Sequence, residues 1–220
     1  MKIALVGYGK MGHMVEQCAK RAGHEVCVTI DTVSEDAKVK IASGDTEALT
    51  RAVKSSGAEG IIEFSHPSVV IQNIKALLPL GLPLIVGTTG WNDKHEEIAK
   101  YASEVGGTIM TAGNFSIGVN MFYKIVEDAP KIMADFADYD DATWQMHHNQ
   151  KADSPSGAAL EIARRVQAGY KNKTDLVFDA FHERPVANQL HVSSTRVGNV
   201  PGTHKVFFDG TADTIELTHT

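Results

Sequence analysis

The apolar run Ile3-Ala4-Leu5-Val6 leads directly into Gly7-Tyr8-Gly9-Lys10-Met11-Gly12 and then into an amphipathic stretch, and this succession constrains the chain more than any other feature. A short continuous apolar run fits a strand covered on both faces. Met14, Val15, Cys18, Ala19 and Ala22 then share one helical face, and Gly23 stops the helix. Val26-Cys27-Val28-Thr29-Ile30 is a second strand ending in Asp31, 19 positions past Gly12. In a strand–glycine turn–helix–strand–acid unit, the small residues let the backbone approach a pyrophosphate. The helix start offers free N–H donors, and the acid accepts ribose hydroxyls. A dinucleotide site is therefore expected on Gly7, Tyr8, Gly9, Lys10, Met11, Gly12 and Asp31. The plain alternative is a tight turn with Asp31 as a solvated strand end, and the combined spacing weighs against it. A carboxylate repels a 2′-phosphate and Thr32 follows with no arginine beside it, so NADH is expected. Lys10 offsets part of that repulsion and keeps NADPH open.

The first half continues as alternating strand and helix: Ile61–Phe64 strand, Val69–Leu80 helix stopped at Gly81, Leu84–Val86 strand, 93–104 helix and Thr108–Met110 strand, with polar Thr32–Lys40 as a loop. Repeated β-α units imply a parallel sheet with right-handed crossovers. Gly87-Thr88-Thr89-Gly90 and Ala112-Gly113-Asn114-Phe115 each follow a strand, where open α/β sheets bind ligands. Gly87, Thr88, Thr89, Ala112, Gly113 and Asn114 are thus candidates for ribose or carboxamide contacts, and Phe115 for packing on the ring.

From about Phe115–Gly118 the pattern changes. A long helix is expected over 119–136, a strand over 143–148 and a helix over 156–167. Strand-like runs follow at 176–181, 190–197, 205–208 and 214–218 without helices between them. The expected fold is a Rossmann-type parallel-sheet dinucleotide domain, residues 1–115 with 197–220 returning to it. It is joined to an α+β substrate and oligomerisation domain, 116–196, with a mixed or antiparallel sheet.

The stretch Trp144-Gln145-Met146-His147-His148-Asn149-Gln150-Lys151-Ala152-Asp153-Ser154-Pro155-Ser156-Gly157 carries the chemistry. Adjacent residues of a strand point to opposite faces, so His147 and His148 address two positions. Imidazole exchanges protons near neutral pH, lysine donates a proton or holds a carboxylate, and a helix opening at Ser156-Gly157 offers amides to an anion. A dianionic substrate that is held and protonated fits this set. Zinc is the competing reading of paired histidines, but Cys18 and Cys27 lie in the other half and no zinc spacing is present, so no metal is expected. Arg196 is a candidate bidentate carboxylate clamp, with a surface ion pair as the equal alternative.

These segments, with Glu63-Phe64-Ser65-His66-Pro67, Asn114–Asn120, Arg196-Val197-Gly198 and Gly202-Thr203-His204, resemble the dihydrodipicolinate reductase (4-hydroxy-tetrahydrodipicolinate reductase) family through nearly the whole chain. The resemblance implies hydride transfer from a nicotinamide to a small cyclic imine bearing two carboxylates, in diaminopimelate and lysine biosynthesis, by a homotetramer. It implies His147 and Lys151 as proton-transfer residues, and His148 with the amides of Gly157 and Ala158 as substrate-holding positions, beside Ser156. Three departures stand out. The first turn is one residue shorter than usual and has no arginine before Met11-Gly12. Ala158 stands where the family commonly has threonine. Family members continue past the position of Thr220 into a closing helix.

With 220 residues, 43% hydrophobic and 22% charged, the chain has material for real cores and is not a disordered or disulfide-scaffold sequence. A net charge of −6 argues against a nucleic-acid partner, and no apolar stretch reaches the ~20 residues that span a bilayer. The apolar start is too short for a secretory signal, and two cysteines make no framework. Both are expected as reduced core residues of a cytoplasmic protein. The rival readings are another small Rossmann amino-acid or semialdehyde dehydrogenase, and a non-enzymatic NADH sensor. A sensor needs no proton donor, which weighs against the second.

Overall fold

The computed structural model describes residues 1–178 and 180–220. The chain divides into two compact units, Met1–Gly113 and Asn114–Thr220.

The first unit alternates β1 (Lys2–Val6), α1 (Lys10–Arg21), β2 (Glu25–Asp31), β3 (Val39–Lys40), α2 (Thr46–Ser56), β4 (Gly60–Glu63), α3 (Val70–Leu77), β5 (Leu84–Val86), α4 (His95–Glu104) and β6 (Ile109–Thr111). The six strands are all parallel, in the order β3-β2-β1-β4-β5-β6. Strand order reverses at β1, which pairs with β2 on one side and β4 on the other. Val6, Ile30, Ile61 and Val86 pack with Leu49 and Val53 of α2, Ile74 and Leu77 of α3 and Ile98 of α4. Ile3, Leu5 and Val26 pack with Ala19 of α1 in a separate cluster.

Two elements here were not expected. β3 is a two-residue strand inside the anticipated Thr32–Lys40 loop, held by pairing with Ile30 and Asp31. α2 begins at an Asp45 cap, whose Oδ1 accepts from the Ala48 amide at 2.9 Å, and ends at Gly57 with φ 69°. The expected core placement of the cysteines is also corrected. Cys18 is exposed and accepts from Arg21 Nη2 at 3.1 Å, while Cys27 is half-buried against the core. The apolar face of α1 is therefore only partly covered, with Met11 and Met14 about half exposed.

The second unit contains α5 (Ile117–Met133), β7 (Asp140–His147), α6 (Gly157–Ala168), β8 (Asp175–Val177), β9 (Gln189–Arg196), β10 (Thr203–Asp209) and β11 (Thr214–His219). Its mixed sheet has the order β11-β10-β7-β9-β8, with β7 and β8 parallel to β9, and β10 antiparallel to both β7 and β11. Phe122 and Val126 of α5 and Ile162, Ala163 and Val166 of α6 cover one face of this sheet, against Leu190, Val192, Val206 and Phe208. The expected return of 197–220 to the first domain is corrected: β10 pairs along the whole of β7 and β11 pairs with β10. Of the strand expected over 176–181, residues 176 and 177 lie in β8 and position 179 is outside the described residues.

Candidate active site

In the first unit, Gly7 closes β1 with φ 89°, a left-handed conformation that favours glycine. A Cβ placed there would lie 2.2 Å from the carbonyl oxygen of Phe64, so side-chain absence lets the two switch-point strands end side by side. Gly12 is equally confined, since its Cβ would meet the Gly7 carbonyl oxygen at 2.3 Å. α1 starts behind Gly9 with no side-chain cap, leaving its first amides free for an anion. Lys10 and Met11 are exposed at this start. The Tyr8 side chain turns inward: its hydroxyl donates to Glu16 and its ring stacks on His13 at 4.1 Å. The bond to Glu16, with burial, pushes the phenol up to about 12, so Tyr8 contributes its backbone to the turn.

Asp31 ends β2 half-buried. Oδ2 accepts from the Tyr8 amide at 2.6 Å, and Oδ1 accepts from the amides of Val33 at 2.8 Å and Ser34 at 2.9 Å. Burial is the largest single influence on this carboxyl and opposes ionisation. The amides of Val33, Ser34, Tyr8 and Thr32 together outweigh it and hold the pKa below the usual value. Oδ2 carries one of these amide contacts and Oδ1 two, so Oδ2 is the oxygen better placed to accept a ribose hydroxyl. The glycine turn, the uncapped helix start and this acid fit a dinucleotide.

The other expected contacts divide. Thr89 is exposed, but Thr88 is buried and its hydroxyl donates to Glu63 Oε2 at 2.6 Å, so it faces inward. A Cβ on Gly87 would overlap the Phe64 ring, its nearest atom at 2.1 Å, which explains glycine there. Ala112 and Gly113 end the first unit, whereas Asn114 and Phe115 begin the second. Asn114 Oδ1 accepts from the Ser116 amide at 2.8 Å, and Phe115 is exposed.

Glu63 is a buried residue to which the sequence reading gave no role. Its carboxyl, at the end of β4, accepts from Ser65, Thr88 and Asn73, and so ties two strand-end loops to α3. Burial raises its pKa against the lowering effect of these bonds. An acid closing the apolar pair Ile61-Ile62 was the available signal.

In the second unit, His147 ends β7 and is buried, while His148 is half-buried. Burial, reinforced by the nearby charges of Lys151 and Arg196, lowers the His147 pKa and favours a neutral imidazole. His147 Nδ1 is buried without a hydrogen-bond partner among the described residues, and a Cβ on Gly202 would sit 3.0 Å from Nε2. His204 stands edge-on to His147, with ring centroids 5.1 Å apart. Burial first, then the charges of His147, His219 and Lys151, push it down to about 4. The Gly202-Thr203-His204 segment thus walls His147, and the signal for it was its place in the family pattern.

Lys151 is paired with Asp153 at 2.7 Å. Arg196 is neither a surface ion pair nor an open clamp. Its Nε donates to the Lys151 carbonyl at 3.2 Å, Nη2 to the Asp153 carbonyl and Nη1 to the Thr195 carbonyl at 3.0 Å. It therefore shapes the loop that presents Lys151. The Ser156 side chain is likewise committed: it is buried and caps α6, accepting from the Ala159 amide at 3.2 Å. Ser156 O accepts from the Leu160 amide at 3.0 Å, so the amides of Gly157 and Ala158 are the ones left open for an anion. Among the described residues no group of three or more His, Cys, Asp or Glu side chains is placed to hold a metal ion.

A parallel sheet with this turn at its switch strand, and a second unit that sets an imidazole and an ammonium before an open helix start, define an oxidoreductase of the Rossmann class that uses a nicotinamide dinucleotide. The family described as "Dihydrodipicolinate reductase, N-terminus" matches residues 1–115, and the one described as "Dihydrodipicolinate reductase, C-terminus" matches residues 118–220. The chain belongs to the dihydrodipicolinate reductase family. The 4-hydroxy-tetrahydrodipicolinate reductase of Christiangramia forsetii is 30% identical over 220 residues, covering 100% of this chain and 84% of the relative. That of Archaeoglobus fulgidus is 33% identical over 227 residues, covering 100% and 86%. The dipicolinate-bound dihydrodipicolinate reductase from Paenisporosarcina sp. TG-14 shares the fold with a TM-score of 0.71 at 19% identity, over 100% of this chain and 87% of that one.

Proposed function

We propose that this protein reduces 4-hydroxy-tetrahydrodipicolinate to tetrahydrodipicolinate in the diaminopimelate route to lysine, in the cytoplasm, with NADH preferred over NADPH. The observation that carries the reading is His147: a buried imidazole at the end of β7, its pKa lowered by burial and by the charges of Lys151 and Arg196, ahead of the loop that leads to the open amides of Gly157 and Ala158.

When bound, the reduced nicotinamide supplies a hydride. Gly7–Gly12 hold the pyrophosphate through backbone amides, Asp31 takes a ribose hydroxyl, and Thr89, Ala112 and Gly113 complete the dinucleotide positions, with Asn114 and Phe115 following. In the second unit, the Gly157 and Ala158 amides and His148 hold the substrate carboxylates. Lys151 stabilises the charge that develops as the conjugated carbon is reduced, and His147 delivers the proton from Nε2. Arg196 positions Lys151 through its backbone. The absence of a side-chain hydroxyl at Ala158 leaves the backbone amide as that residue's contact. The face of the second sheet away from α5 and α6 carries Trp144, Met146 and Phe207, and we assign the tetramer contact to it.

The test is oxidation of NADH with freshly made condensation product of pyruvate and aspartate semialdehyde, run beside NADPH and beside linear aldehydes. Turnover of the cyclic product with NADH in excess over NADPH is expected. Absence of turnover with either dinucleotide, or turnover of the linear aldehydes alone, refutes the reading. Sedimentation of the wild type beside Trp144→Lys tests the tetramer.

A further inference from the structure

Seven buried side-chain N and O atoms have no hydrogen-bond partner among the described residues: Asp141 Oδ1 and Oδ2, Thr143 Oγ1, Gln145 Oε1, His147 Nδ1, Tyr170 Oη and His204 Nε2. They are not scattered. Asp141, Thr143, Gln145 and His147 are alternate residues of β7, so their side chains share one face. Thr143 is in register with Val192 and Val206, which places that face under α5 and α6. Gln145 is in register with His204, so two more of the atoms meet near His147. At the opposite end Asp141 and Tyr170 line a cavity of about 750 Å³ whose rim includes the exposed Phe136 and Val186. The buried ammonium of Lys173 stands there too. It donates to Asp140 at 2.5 Å and to the Gln189 carbonyl at 2.9 Å, and lies 3.4 Å from Asp141.

The centre strand of an otherwise apolar layer is thus polar from end to end. Left bare, this many buried polar atoms would cost as much as the whole stability of a fold. Polar internal space fills with water that makes two to four hydrogen bonds, whereas apolar space stays dry. Alternate residues of a strand are about 6.7 Å apart, more than the about 5.6 Å that one water spans with two hydrogen bonds of about 2.8 Å, so two waters in sequence link neighbouring members of the row.

We propose that the buried face of β7 holds a file of internal water molecules running from the cavity at Asp141 to Nδ1 of His147, and that this file hands the imidazole a proton as the opposite nitrogen gives one up. The proposal rests on the reading of His147 given above. The hydride brings two electrons and one hydrogen to the substrate, and the Nε2–H bond breaks as the second hydrogen is delivered. A proton from the file bonds to Nδ1 in the same event, so the ring stays neutral and no imidazolate forms. Once product leaves, water in the emptied site protonates Nε2 and Nδ1 returns its proton to the file. The pKa lowered by burial supports a neutral ring on both sides of the step.

Thr143→Val is the test, because valine matches threonine in shape and packs between Val192 and Val206 while removing the middle link. Expected are a kcat lower by about 10- to 100-fold, an unchanged KM, an unchanged or higher Tm, a larger solvent deuterium isotope effect on kcat, and recovery of the rate in Thr143→Ser. Ordered waters along the row are expected in a high-resolution crystal structure of the wild type. Wild-type kcat in Thr143→Val, or a dry row, overturns the proposal. His147→Gln separates the two layers of reasoning. If it is inactive while Thr143→Val is fully active, the file alone falls. If both are fully active, the assignment of His147 falls with it.

Discussion

Replacing Asp31 by alanine tests the dinucleotide positions most sharply. Its carboxylate already accepts from the amides of Tyr8, Val33 and Ser34 at 2.6, 2.8 and 2.9 Å. Oδ2, which carries only the Tyr8 amide among these, is the oxygen assigned to the ribose. A hydrogen bond to a charged group is worth about 1.5–3 kcal/mol, and about 1.4 kcal/mol is tenfold in affinity. The NADH Kd in Asp31→Ala is therefore expected to rise about 10- to 100-fold. NADPH places a 2′-phosphate where the carboxylate repels it, so its Kd changes less or falls. Loss of the Tyr8 amide contact loosens the turn and weakens both dinucleotides alike, which makes the ratio of the two Kd values the informative quantity. Fluorescence titration of the two reduced dinucleotides against wild type and variant measures it, and an unchanged ratio refutes the ribose assignment. A second readout follows from the lowered Asp31 pKa. A carboxyl depressed in the folded state stabilises the fold above its unfolded pKa of about 3.9, and that contribution fades as pH falls through the folded value. Wild type and Asp31→Ala should accordingly converge in stability below about pH 4 and diverge above it.

His147→Gln is expected to lower kcat by about 10²-fold or more while leaving the NADH Kd near wild type, as stopped-flow turnover and titration would show. Ser156→Ala removes a buried cap and should cost about 1 kcal/mol of stability by urea unfolding, with a rise in substrate KM as the start of α6 frays. His204, held at about 4 by burial, binds its proton later than the unfolded chain does at about 6.5. Stability should therefore drop as pH falls from about 6.5 towards 4 and level off below it, and His204→Asn should flatten that slope.

The first βαβ unit was legible because each of its signals is local: an apolar run, glycines with steric reasons at positions 7 and 12, and an acid at the end of β2. α2 escaped because only Leu49 and Val53 of its eleven residues are buried, too few to make a periodic stripe, although its Asp45 and Gly57 caps were readable. The sheet membership of β10 and β11 was not local information, since β10 pairs with β7 across more than fifty residues and β11 joins the sheet only through β10. The chemical stretch from His147 to Gly157 was recognisable, but the employment of individual side chains was not. Ser156 spends its hydroxyl on its own helix, Arg196 on backbone carbonyls, and Thr88 on Glu63. Cys18 sits on an apolar helix face that is itself half open. β7 reads as a strand from its alternation, yet polar residues fill the side that faces inward, the reverse of the usual rule.

β7 has a neighbour along each edge, with β10 on one side and β9 on the other, and the imidazole at its tip is bracketed by Val197 donating to the His147 carbonyl at 3.0 Å. The histidine to which proton delivery is assigned is thus fixed at the end of the central strand of its sheet. The loop after it has no strand neighbour among the described residues and is held by single contacts: Asn149 to the Gly198 carbonyl at 3.1 Å, and Arg196 to the carbonyls of Lys151 and Asp153. Adaptation to an arriving molecule falls to the loop, so amide exchange should be slow at position 147 and fast a few residues later.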